Sequence, residues 1–141
     1  MESSGAADLV LRSRAMKLRI RGDSLRLRLS QGEFATLADG GTVTDAIHFG
    51  PGAALRCEVA TVVGAEALDA VLDGHTIRVT VPAAELRRVA ASDEVGLSAT
   101  RAIDSGRALS ILLEKDFRCL APRPGDEVTD AFARPDDAPS C

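Results

Sequence analysis

A pattern laid down between Lys17 and Val43 returns 52 residues later, and this spacing constrains the fold more than any other feature of the chain. Gly22 maps to Gly74, Arg26 to Arg78, Glu33 to Glu85, Ala38 to Ala90 and Val43 to Val95, with no gap. The apolar positions follow. Leu25, Leu27 and Leu29 fall on Ile77, Val79 and Val81, Phe34 and Leu37 on Leu86 and Val89, and Cys57 and Val59 on Leu109 and Ile111. Any two strand–helix–strand segments share apolar periodicity, so the constant offset and the matched turn are what favour an internal repeat. The units run over 17–68 and 69–120, each strand, tight turn, strand, capped helix, strand, loop, strand.

Each step of the first unit has a local cause. Leu18, Ile20, Leu25, Leu27 and Leu29 alternate with polar residues around Gly22-Asp23, which predicts a β-hairpin. A two-residue loop there sets Ile20 opposite Leu25, Leu18 opposite Leu27, Arg19 opposite Arg26 and Lys17 opposite Arg28. A slip of one residue would turn every apolar side chain to the wrong face. Ser30-Gln31-Gly32-Glu33 fits a capping box, Phe34, Leu37 and Ala38 share one helix face, and Gly40-Gly41 ends the helix. Two further strands are expected over about 42–49 and 55–63, on either side of Gly50-Pro51-Gly52.

One unit cannot cover the apolar faces of its own four strands and helix, so two should pack about an approximate two-fold axis. The expected fold is α+β and β-rich: a single domain over 16–120, with two strand-strand-helix-strand-strand units packed as one sandwich or partly closed barrel with two short helices. Residues 1–15 lack sustained periodicity and are expected to be a disordered extension, which makes Met16 an alternative natural start. Residues 121–141, with four prolines among several acids, are expected to be an irregular acidic tail. The 141-residue length suits one domain and excludes a large multidomain enzyme. No apolar run approaches the roughly 18 residues of a membrane-spanning helix, and Leu9-Val10-Leu11 is too short for a secretory signal, so a cytoplasmic location is expected. Cys57, Cys119 and Cys141 form neither an even-numbered framework nor a C-x-x-C pair, and reduced thiols are the default.

The hairpin register has a chemical consequence. It puts Lys17, Arg19, Arg21, Arg26 and Arg28 on one sheet face, five of the seventeen Lys and Arg residues of a chain whose net charge is −4. Like charges opposite one another in a sheet cost roughly 0.2–1 kcal/mol per pair, so an anionic companion is expected. The second unit has Asp69, Val71, Asp73, Arg78 and Thr80 at these positions, so the basic face belongs to the first copy alone. The companion can be internal. Residues 114–141 hold seven acidic and four basic side chains, and Asp126, Glu127, Asp130, Asp136 and Asp137 could cover the arginines. It can also be external, a phosphate or carboxylate suited to the planar guanidinium fork. Nucleic acid is disfavoured by a pI near 5.2 and by four phenylalanines as the only aromatics.

Catalytic signals are weaker. Glu114-Lys115-Asp116-Phe117-Arg118-Cys119-Leu120 crowds charges and a thiol at a strand end, with Cys119 a candidate nucleophile and Glu114 or Asp116 a candidate acid or base. No histidine lies near in sequence and no nucleophile motif surrounds the cysteine, which favours a solvated ion-pair ladder. His48, His75 and the three cysteines lack the short ligand spacing of a zinc module, and the alternation of Arg56, Cys57 and Glu58 points Cys57 into the core. Neither metal nor cofactor is expected, and no phosphate-binding glycine motif occurs.

The segments Met16-Lys17-Leu18-Arg19-Ile20-Arg21-Gly22, Leu25-Arg26-Leu27-Arg28-Leu29 and Glu114 to Leu120 together resemble a small family of uncharacterised bacterial proteins, a domain of unknown function. The resemblance runs from about Met16 to Phe132. It implies a family-like beginning at Met16 and lends identity without a mechanism. The leading expectation is a noncatalytic binding module whose basic hairpin face holds an anionic ligand, a protein partner or its own tail, with homo-oligomerisation left open. The alternative is a small hydrolase-like or metal-dependent enzyme built around Glu114, Asp116 and Cys119.

Overall fold

The computed structural model describes residues 16–117 and Phe132. Strands β1 (Lys17–Arg21) and β2 (Ser24–Leu29) form the first hairpin, followed by helix α1 (Gln31–Ala38) and a long hairpin of β3 (Thr42–Gly50) and β4 (Ala53–Val62). The second half supplies β5 (Asp69–Asp73), β6 (Thr76–Pro82), α2 (Ala83–Ala90), β7 (Gly96–Asp104) and β8 (Arg107–Lys115). The β1–β2 register is the one that alternation demands: Lys17 lies opposite Arg28, Leu18 opposite Leu27, Arg19 opposite Arg26 and Ile20 opposite Leu25. Gly22 turns the corner with φ of 58°, a left-handed conformation that costs glycine nothing.

The two halves are interleaved rather than stacked. One sheet runs β1-β2-β8-β7 and the other β3-β4-β6-β5. Exchanging first-half strands for their second-half counterparts turns the first order into β5-β6-β4-β3, the other sheet read backwards. Each sheet therefore takes one hairpin from each half, joined at its centre by a parallel pair, β2 with β8 and β4 with β6. The two sheets pack as a sandwich, with no closed barrel.

The gap-free 52-residue spacing holds only through the helices. β5, β6 and α2 begin 52 residues after β1, β2 and α1, but β7 and β8 begin 54 after β3 and β4, because three residues (39–41) follow α1 and five (91–95) follow α2. Val43 therefore corresponds to Leu97 and not to Val95: Val43 and Leu97 are buried at 8% and 7% exposure, whereas Val95 is 41% exposed. Likewise Cys57 and Val59 correspond to Ile111 and Leu113, all four buried. An insertion of two keeps the in–out parity of a strand, so periodicity alone cannot detect it.

The core fills the space between the sheets with Leu25, Leu27 and Leu29 from β2, Ile111 and Leu113 from β8, Cys57 and Val59 from β4, and Val79 and Val81 from β6. Phe34 and Leu37 of α1 and Leu86 and Val89 of α2 join it, and the helices pack on one another. Full burial of each such side chain is worth roughly 1.5–3 kcal/mol. β1, an edge strand, is left outside: Leu18 and Ile20 keep the apolar parity yet are 38% and 61% exposed.

The helix ends are built differently. At α1 the Ser30 Oγ accepts the Glu33 amide at 3.2 Å while Glu33 Oε1 accepts the Ser30 amide at 2.8 Å, a complete capping box. α2 starts after Pro82, which offers no side-chain cap. At the C-terminal ends a strand residue of the same half reaches over. Thr61 Oγ1 donates to the Leu37 carbonyl at 3.3 Å, and Lys115 Nζ, 54 positions later, donates to the Ser92 carbonyl at 2.7 Å.

Candidate functional site

Strand alternation and the parallel β2–β8 pair assemble a charged surface on the outer face of the β1-β2-β8-β7 sheet. β1 contributes Lys17, Arg19 and Arg21, β2 contributes Arg26 and Arg28, and β8 contributes Glu114, directly opposite Arg28 in the ladder. Glu114 Oε1 accepts Arg26 Nε at 2.7 Å and lies 3.7 Å from Arg28 Nε. Asp116, just beyond β8, pairs its Oδ2 with Lys17 Nζ at 3.1 Å. Backbone bonds hold Asp116 there: its amide donates to the Leu29 carbonyl at 2.9 Å, and its carbonyl accepts the Phe132 amide at 2.9 Å.

Two groups of residues that the sequence presents separately are thus one site. Glu114 and Asp116, candidate acid–base residues of a strand-end centre, sit among the hairpin cations and engage three of them. Their carboxylate side chains are only 15% and 16% exposed, so these pairs are less screened than open surface pairs. Five cations face two carboxylates, and among the described residues no carboxylate lies within ion-pair distance of Arg19 or Arg21. Cys119, Cys141 and the acids Asp126, Glu127, Asp130, Asp136 and Asp137 lie outside the described residues.

Behind this face stands an aromatic anchor. Phe132 packs edge-on against Phe34 with ring centroids 5.3 Å apart and against Phe117 at 6.0 Å, and it forms an isolated parallel bridge with Phe117. Lys115 Nζ lies 5.1 Å from the Phe132 ring centroid. Lys115 is 5% exposed, and its burial lowers its pKa, with Asp93 and Glu94 pulling the other way. Its bond to Ser92 and the ring beneath it give the amine a structural task, closing the C-terminal end of α2.

The remaining candidates separate. Cys57 is buried on the inner face of β4, and burial, reinforced by Asp45 and Glu58, pushes its thiol up to about 11, so it is protonated and unreactive at neutral pH. His48 and His75 line one cleft on the outer face of the β3-β4-β6-β5 sheet. No group of three or more His, Cys, Asp or Glu side chains that could hold a metal occurs among the described residues, and no helix among them is long and apolar enough to cross a membrane.

Residues 16–136 match the model of a family described as a family of unknown function, DUF7009. No curated protein and no solved structure matches the chain.

Proposed function

We propose, starting from the fact that the chain belongs to the DUF7009 family of unknown function, that it is a noncatalytic binding module whose β1–β2 face holds an anionic partner. The observation that carries this reading is the imbalance on that face: Glu114 and Asp116 engage Lys17, Arg26 and Arg28, while Arg19 and Arg21 project from an exposed edge strand without a described carboxylate. Arg19 lies opposite Arg26, so the pair presents two guanidinium forks side by side, an arrangement that favours a phosphate or a carboxylate cluster. Charge on β1 also discourages edge-to-edge pairing, a benefit that any charged edge would give. The engagement of Glu114 and Asp116 by cations speaks against their use as acid and base.

The reading is tested with inorganic tripolyphosphate as the probe, titrated at low and high salt. The wild-type chain should bind it, less tightly at high salt, and Arg19→Ser/Arg21→Ser should weaken the binding. A variant with Asp126→Asn, Glu127→Gln and Asp130→Asn keeps Phe132 in place; tighter binding by this variant would mean that the acidic tail competes for the same face. Failure of both the wild-type and the tail-neutralised chain to bind would sink the proposal.

A further inference from the structure

Both histidines of the chain, 27 positions apart in sequence, line a single cleft of about 490 Å³ together with Arg56, Thr76, the β3–β4 turn residue Gly52, and Ala53 and Ala54 at the start of β4. The ladder explains the convergence. Arg56 on β4 pairs with Thr76 of β6 on one side, and its amide donates to the His75 carbonyl at 2.9 Å. On the other side β3 places Ala46 opposite Arg56 and His48 opposite Ala54, with a bulge between His48 and Gly50. No acidic residue lines this cleft. Among the described residues no carboxylate pairs with Arg56, whereas its neighbour Arg78 is held by Glu58 at 2.8 Å and Asp73 at 3.1 Å.

The other half of the molecule shows what this position looks like when it is self-satisfied. The counterparts of His75 and Arg56 are Asp23, 52 positions earlier, and Ser110, 54 positions later. The amide of Ser110 donates to the Asp23 carbonyl at 2.9 Å, the same bond that Arg56 makes to His75. There the Asp23 carboxylate takes up Arg107 at 3.3 Å. On the β3-β4-β6-β5 sheet the acid is replaced by an imidazole, Arg107 by Ala53, and Arg56 stands where the other half has Ser110.

We propose that the His48–Arg56–His75 cleft is a binding site for a tetrahedral oxyanion, free or carried as a phosphate monoester, separate from the β1–β2 face. One permanent guanidinium and two imidazoles supply donors without an opposing acid, and the guanidinium makes the same set a poor host for a divalent cation. The charged groups sharing the cleft's sheet face are Glu58 on β4, Asp69 and Asp73 on β5 and Arg78 on β6; Glu58 and Asp73 both hold Arg78, and Asp69 is paired with Arg101.

The test uses sulfate as the probe. With two histidines in the chain, the imidazole NMR signals report this cleft and not the arginine face. Sulfate should shift both sets of signals and bind less tightly at high salt. His75→Asp, which installs the residue found at the Asp23 counterpart, and Arg56→Ser should each abolish the response, while Arg19→Ser/Arg21→Ser should leave it intact. α-Glycerophosphate serves as the second arm: tighter binding than sulfate assigns the cleft to an esterified phosphate, equal binding to the free anion. No shift beyond that of chloride at matched ionic strength, with either probe, overturns the proposal, as does a response that persists in the His75→Asp and Arg56→Ser variants.

Discussion

The β1–β2 and β5–β6 hairpins have the same backbone, 52 residues apart, and opposite electrostatics. Gly22 and Gly74 turn with φ of 58° and 60°, and the cross-strand registers match position for position. Yet Lys17 has Asp69 as its counterpart, Arg19 has Val71 and Arg21 has Asp73. The second hairpin balances its charges locally: Arg78 reaches Asp73 within the hairpin and Glu58 on the next strand, and Asp69 takes Arg101 from β7 at 2.7 Å. The first relies on carboxylates more than 80 positions away in sequence, and it is left with a surplus of cations. What the two share is apolar parity and a turn glycine, which together fix the backbone. What differs is the solvent-facing set, which the backbone leaves free to serve binding.

That contrast can be broken at three depths. The deepest test is the shared core. Leu27→Ala and Val79→Ala, at corresponding buried positions, should both destabilise the fold, the leucine truncation by about 2–5 kcal/mol, in denaturant titrations. If one half tolerated truncation freely, the equivalence of the two hairpins would fail. At intermediate depth, Glu114→Gln removes the negative charge that Arg26 and Arg28 share without changing shape, and should cost about 1–2 kcal/mol. It should also tighten tripolyphosphate binding, since two more cations are freed. A neutral outcome in both readouts would show that the first hairpin does not depend on its distant acid.

The smallest expected effect lies on the second hairpin. Arg101→Ala removes an exposed ion pair and the 2.8 Å bond from Arg101 to the Ala70 carbonyl, and should cost at most about 1 kcal/mol, less at high salt. The Arg101 hydrogen bond holds the Asp69 carboxyl below the usual aspartate range. An acid whose folded pKa is depressed contributes stability above its unfolded pKa and loses it as pH falls through the folded value. The wild type should therefore lose slightly more stability than Arg101→Ala on going from pH 5 down through the range below 4, measured by thermal unfolding across that range. Superimposable acid limbs would remove Arg101 as the cause of the Asp69 shift.

The parts of this molecule governed by neighbours in sequence were readable from sequence. The Gly22 turn with its register, the Ser30–Glu33 capping box and the inward direction of Cys57 all depend on local parity or on contacts three residues apart. The interleaving of the sheets was not readable, because the β2–β8 pairing sets Leu25 against Ile111, 86 positions away, and no periodicity encodes such a partner. For the same reason the sequence does not disclose that Glu114 and Asp116, which it presents as a separate strand-end centre, stand among the arginines. The signal was present: Ser110, Leu112 and Glu114 share the outward parity of β8, and a basic strand is best neighboured by one carrying an acid. The His48–Arg56–His75 cleft depends on three strands and two turns meeting at one end of a sheet, which spacing along the chain does not disclose.

The crossed membership of the two sheets bears on how this chain is made. When the first half has left the ribosome, β2 and β4 have no parallel neighbours, since β8 and β6 have yet to be synthesised. The β3-β4-β6-β5 sheet waits for β6 and the β1-β2-β8-β7 sheet for β8, the last strand, so the assembly is set by contacts of long sequence separation, which favours slow folding and prolonged exposure of Leu25, Leu27 and Val59. The same connectivity means that a cut between β4 and β5 would yield two fragments that are each incomplete alone and complementary to one another.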